Sequence, residues 1–88
     1  MNNEENLIRF GEDAEALLKS EHFVRTVNRL VEGTFQAFIN SKPEETKERN
    51  ITYYHYRALV DLVNTLKQEV SVKDEIISKN GDNSQEEA

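Results

Sequence analysis

The sequence predicts an all-α protein, an antiparallel helical hairpin with an added N-terminal helix that assembles into a helical bundle. Apolar residues recur at helical spacing in three segments, and no alternating strand pattern or internal repeat interrupts them. The 88 residues make at most one domain. We place that domain at residues 1–79 and interpret residues 80–88 as a disordered acidic tail.

The first predicted helix begins at an asparagine, since Asn2 or Asn3 can cap it and Glu4 and Glu5 follow in its first turn. Gly11 lies inside the pattern and weakens it by roughly 1 kcal/mol relative to alanine. We therefore expect this segment either to dock as an arm or to order only on binding. Its apolar residues at helical spacing are Leu7, Phe10, Ala14, Leu17 and Leu18.

The second predicted helix begins at Ser20, a good N-cap residue, and ends near Asn40. One stripe runs along it for four turns, which is typical of a helix with one buried face. The stripe consists of Phe23, Val27, Leu30, Val31, Thr34, Phe35 and Phe38.

The third predicted helix follows almost at once, with Ser41 as its cap, Pro43 in its first turn and Glu44 at capping-box spacing. A connection this short makes the two helices antiparallel neighbours. We expect the third helix to run to about residue 72, or as far as 79, and to end at Asn80-Gly81. At about 30 residues it is roughly 45 Å long and outreaches the second helix, so its surplus meets the first helix, a second copy or solvent. Its predicted stripe comprises Ile51, Tyr54, His55, Ala58, Leu59, Leu62, Val63, Leu66 and Val70.

Three tyrosines in the third helix indicate a surface for a partner. Consecutive helical positions point about 100° apart, so Tyr53, Tyr54 and Tyr56 cannot all face one helix. We expect Tyr54 to join the hairpin core, and Tyr53 and Tyr56, with Arg57 and Arg49 beside them, to bind a protein partner. Alternatively, the rings only shield the edge of the hairpin.

Charge and composition exclude several classes of function. The net charge of −6 and the pI of about 4.9 argue against nucleic acid as a partner, because phosphate contacts need clustered Lys and Arg. No run approaches the ~20 apolar residues of a membrane span, so we expect no membrane partner. The chain has no cysteine, and neither His22 nor His55 has another metal-ligand residue at i+3 or i+4. We expect two half-buried histidine rings, no metal, no cofactor and no catalytic residue.

The stretch from Lys42 to Leu62 resembles a pattern in small, mostly uncharacterised proteins of tailed bacteriophages. In that pattern a helix ends in a K-P-E type turn, and charged residues with an arginine, an aromatic pair and an A-L-x-x-L run follow. The matching residues here are Lys42-Pro43-Glu44-Glu45, Arg49, Tyr53-Tyr54 and Ala58-Leu59-Val60-Asp61-Leu62. The resemblance implies a phage-related protein in the host cytoplasm or on the virion, and it assigns no functional residue.

These observations favour a non-enzymatic structural or interaction protein, a helical hairpin that forms a homo-oligomer or docks on a larger phage or host assembly. The alternative is a small acidic phage inhibitor of a host nucleic-acid-processing protein. A third hypothesis is a DNA-binding regulator that uses Arg25 and Arg29, which the net charge opposes.

Overall fold

Three helices make up the fold of this chain. The computed structural model describes the backbone of residues 2–87 and the side chains of residues 2–81. The helices are α1 (Asn3–Lys19), α2 (Glu21–Asn40) and α3 (Thr46–Glu87), and the described backbone contains no strand. The predicted all-α class is therefore confirmed.

Side-chain caps set the starts of the first two helices, as predicted. The Asn2 side chain accepts a hydrogen bond from the backbone N–H of Glu5 at 2.7 Å, and the Ser20 hydroxyl accepts one from Phe23 at 3.2 Å. Ser20 has an extended backbone and is the one residue between α1 and α2. It therefore ends one helix and begins the next.

The predicted start of α3 is wrong, because α3 begins at Thr46 rather than Pro43. Ser41 does not cap it: its hydroxyl and its backbone N–H both donate to the carbonyl of Phe38, at the end of α2. Pro43 lies instead in a turn, in which the Glu45 carboxylate accepts a hydrogen bond from the Lys42 N–H at 3.2 Å.

The predicted end of α3 is also wrong, because the helix continues through Asn80-Gly81 to Glu87. Gly81 does not adopt the positive φ of a C-terminal glycine cap, so it continues the helix at the usual propensity cost. The division into a domain at 1–79 and a disordered tail at 80–88 stays a prediction, and Ala88 lies outside the described residues.

The three helices form a long hairpin. One arm is α3, and the other arm is α1 followed by α2, interrupted at Ser20. Phe38, near the end of α2, contacts Arg49 near the start of α3, whereas Gly11 of α1 approaches Glu69 and Lys73. The arm formed by α1 and α2 thus runs antiparallel to α3 along its length. Within it, α1 is docked on α3, which is one of the two alternatives predicted for this helix. The molecule measures 66 × 24 × 22 Å, and its radius of gyration of 18.8 Å exceeds the about 12 Å of a compact chain of this size.

The helices bury little between them. Among the described side chains, only three hydrophobic ones are buried: Ala14, Val27 and Leu66. The helices approach closely at Gly11, which lies so near α3 that an added Cβ would stand 2.7 Å from the carbonyl oxygen of Glu69. Gly11 thus has a packing role, in addition to the loss of helix propensity expected from the sequence.

Candidate interaction surfaces

One line of side chains on α3 faces the arm formed by α1 and α2, and we call it the seam. Its residues are buried or half-buried and follow the three-and-four spacing of a helix that packs on another helix. The seam of α3 comprises Thr52, Leu59, Val63, Leu66, Val70 and Lys73. The matching residues of the arm are Gly11, Ala14 and Leu18 in α1, and Val27, Val31 and Thr34 in α2.

The seam divides the rest of the surface into two sides. Successive helical residues are about 100° apart, so residues just before a seam residue lie on one side and residues just after it lie on the other. Because the arm and α3 are antiparallel, the residues that precede seam residues in the arm lie on the same side of the hairpin as those that precede seam residues in α3. The following positions of both lie together on the opposite side.

An aromatic groove lies near the hairpin tip, on the side formed by the residues that follow seam residues in the sequence. It is lined by residues of both α2 and α3, and its volume is about 260 Å³. That volume is below the about 300–1,000 Å³ of most small-molecule pockets, so the groove fits a protein side chain better than a cofactor. The lining residues are Thr34, Phe35, Phe38, Thr52, Tyr53 and Tyr56.

Arg49 borders the groove through Phe38. Its guanidinium carbon lies 4.6 Å from the centroid of the Phe38 ring, which is cation–π distance. The Arg49 Nε is buried and has no hydrogen-bond partner among the described residues. The stacking therefore positions the arginine at the rim of the groove.

The structure brings together three of the four residues predicted to bind a partner. Tyr53 and Tyr56 line the groove and Arg49 borders it. Arg57 lies apart, because its guanidinium forms an exposed ion pair with Asp61 at 2.8 Å, one turn along α3. Whether any of the four binds a partner stays a prediction.

The predicted burial of Tyr54 in the core is wrong, and all three tyrosines are exposed to some degree. Tyr54 was expected in the core, yet it is 65 % exposed, whereas Tyr56 is the least exposed of the three at 37 %. Ala58 and Leu62, expected beside Tyr54, are also exposed, because the α3 seam passes one residue after each of them.

The two histidines differ from expectation as well, since both are exposed rather than half-buried. His22 Nδ1 lies 2.9 Å from the Nη2 of Arg25, so its hydrogen bond stays within α2. Among the described residues, no group of three potential metal ligands lies together, and no helix is long and apolar enough to cross a membrane.

Comparison with protein-family models, curated proteins and solved structures finds no match for this chain.

The opposite side of the hairpin carries a second apolar surface, which we call the aliphatic face. Its five main residues each directly precede a seam residue or its equivalent, and each is 42–51 % exposed. They are Phe10, Leu17, Leu30, Ile51 and Leu62. All five were predicted on the apolar stripes of their helices, but the three-and-four spacing of the neighbouring stripe could have identified this face.

An ion pair under α1 fixes how the arm sits on α3. The ammonium group of Lys73, a residue only 8 % exposed, donates to the Glu15 carboxylate, which also pairs with Lys19 at 2.9 Å. The hydrogen bond from Lys73, followed by that from Lys19, lowers the pKa of Glu15 to about 2. The same hydrogen bond raises the pKa of Lys73 above its usual value. Both groups are therefore charged at neutral pH.

Proposed function

We propose that this chain is a non-enzymatic helical subunit that acts by assembling, first of all with copies of itself, in a structural or interaction role. The observation that carries the proposal is the imbalance between buried and exposed apolar residues. Three hydrophobic side chains are buried in one copy, whereas fourteen large ones are 37–65 % exposed among the described residues. These residues group into an aromatic groove and an aliphatic face on opposite sides of the hairpin, and exposed apolar groupings of this kind mark interaction sites in soluble proteins.

The free energy at stake is large for a chain of this size. Fully burying a large apolar side chain contributes about 1.5–3 kcal/mol, so each half-exposed one forgoes roughly 1 kcal/mol. Ten such side chains represent about 10 kcal/mol, comparable with the whole stability of a typical domain. A helical bundle of two or more copies would recover much of it, which supports self-association over a solitary monomer.

The proposed setting is a tailed bacteriophage, in the host cytoplasm or on the virion. The support is the resemblance of the stretch from Lys42 to Leu62 to small phage proteins. The groove around Tyr53 and Tyr56 would remain available to a second protein of the phage or host once copies had paired elsewhere on the surface.

The test is the solution mass, measured by light scattering on a size-exclusion column over a hundredfold range of concentration. We expect a mass of at least twice 10.2 kDa at high micromolar concentration. Circular dichroism on the same samples should lose helical signal as dilution dissociates the assembly. A fully helical monomer across the whole range would refute the proposal.

A further inference from the structure

We propose that two copies pair through the aliphatic face, antiparallel and related by a two-fold axis, to form a bundle around two long α3 helices. The occupant of this face is thus a second copy of the chain. The inference rests on the proposed function, and it adds which surface pairs and in which direction.

The half of this face nearer the hairpin tip is free of charge, which supports self-pairing. In α2 the residues that directly precede Val27, Val31 and Thr34 are uncharged, and so are those before Thr52, Leu59, Val63 and Leu66 in α3. Charged residues are depleted in the core of a protein interface in the same way. The two charged residues that precede seam residues, Asp13 and Glu69, lie in the half of the face nearer α1. The opposite side differs, because Glu32 and Lys67 follow seam residues there.

One whole side of the molecule offers more room than a stable pair needs. The molecule is 66 Å long and 22–24 Å wide, so one side has a footprint of about 1,450 Å², whereas a standard interface buries about 800 Å² per partner. The five exposed apolar side chains are spread along this length, from Phe10 in α1 to Ile51 near the tip. A second hairpin of the same length would cover all of them at once.

The distribution of charge selects the antiparallel direction. The tip half of the hairpin, residues 22–63, has six bases and five acids, whereas residues 1–21 and 64–88 together have five bases and twelve acids. A parallel pair would place two strongly acidic halves side by side. An antiparallel pair places each acidic half against a nearly neutral tip half, and like charges then repel less.

A matched pair of α2 variants tests which face pairs. Leu30 on the aliphatic face and Phe35 in the aromatic groove are both 51 % exposed. We expect Leu30→Glu to raise the dissociation constant of the pair by roughly 100-fold or more, since the two-fold axis introduces the charge twice. Phe35→Glu should leave the dimer mass unchanged. Leu62→Glu, which places the charge on α3, should have the same effect as Leu30→Glu. If circular dichroism shows that Leu30→Glu is unfolded, Leu30→Gln is used in its place.

The direction is tested without altering the face. The chain has no cysteine, so Glu44→Cys in the exposed turn at the tip accepts a single spin label. An antiparallel pair separates the two labels by a distance approaching the 66 Å length of the molecule, whereas a parallel pair brings them side by side.

The outcomes separate the two proposals. Dissociation by Phe35→Glu but not by Leu30→Glu, a short label distance, or a mass above two copies would each overturn this inference while leaving self-assembly intact. A wild-type chain that stays monomeric at high micromolar concentration would overturn both.

Discussion

Replacing Gly11 by alanine tests the close contact between α1 and α3. A Cβ at this position would lie 2.7 Å from the Glu69 carbonyl oxygen and 3.0 Å from Cγ of Lys73, and would overlap Cβ of Lys73. The carbonyl belongs to the backbone of a 42-residue helix and cannot turn aside. We therefore expect α1 to move away from α3, with loss of packing around Ala14.

The expected magnitude combines two opposing effects. Overpacking of this kind costs about 1–3 kcal/mol, whereas alanine in place of glycine within a helix gains about 1 kcal/mol in propensity. Gly33 provides the matched control, because a Cβ there meets no atom within 4 Å. Gly33→Ala should therefore raise the stability by about 0.5–1 kcal/mol. The two variants should differ by about 1–3 kcal/mol, with Gly11→Ala the less stable.

The assay is urea unfolding followed by circular dichroism, with both variants and the wild type at one protein concentration. The solution mass of each is measured at that concentration, because Gly33 precedes Thr34 and so lies on the aliphatic face. A change in midpoint at constant slope reports stability alone. If Gly11→Ala stabilises the chain as much as Gly33→Ala, the docking of α1 at this contact is refuted.

Two further predictions concern the ion pair and the tyrosines. Because the pKa of Glu15 is lowered to about 2 from 4.5, its contribution to stability is complete above about pH 4.5 and is lost as the pH falls towards 2. Glu15→Gln should flatten the dependence of stability on pH in this window. Glu12→Gln, which removes the same charge from the exposed surface of α1, should not. Equal stability–pH profiles for the two variants would contradict the ion pair. Tyr56→Ala should lower the free energy of unfolding by about 1–2 kcal/mol and Tyr54→Ala by less than about 0.5 kcal/mol, and equal losses in urea unfolding would contradict the seam.

The starts of α1 and α2 were predictable because capping is local chemistry. Asn2 and Ser20 each accept a hydrogen bond from the backbone N–H three residues ahead. Ser41 is a similar residue, but the preceding helix uses its hydroxyl first. The sequence contains both possibilities, and only the three-dimensional structure shows which one is realised.

The roles of the tyrosines were not predictable for a different reason. Two adjacent stripes of α3 are apolar: one contains Leu59 and Val63, the other Ala58 and Leu62. Periodicity identifies their combined arc but does not say which stripe faces the arm. Choosing the stripe that follows Tyr54 instead of the one through Tyr56 therefore predicts burial for the more exposed of the two rings.

The two stripes also explain why one copy leaves an apolar face uncovered. A helix with a single apolar stripe needs one partner, and the arm provides it. The second stripe of α3 continues across the arm through Phe10 and Leu17, which belong to α1, so the aliphatic face is complete only while α1 is docked. In the proposed pair, assembly and docking of α1 are therefore thermodynamically linked, because a second copy binds the docked state more tightly than the detached one. This linkage unites the two roles expected for the first helix, a docked arm and a segment that a binding partner orders.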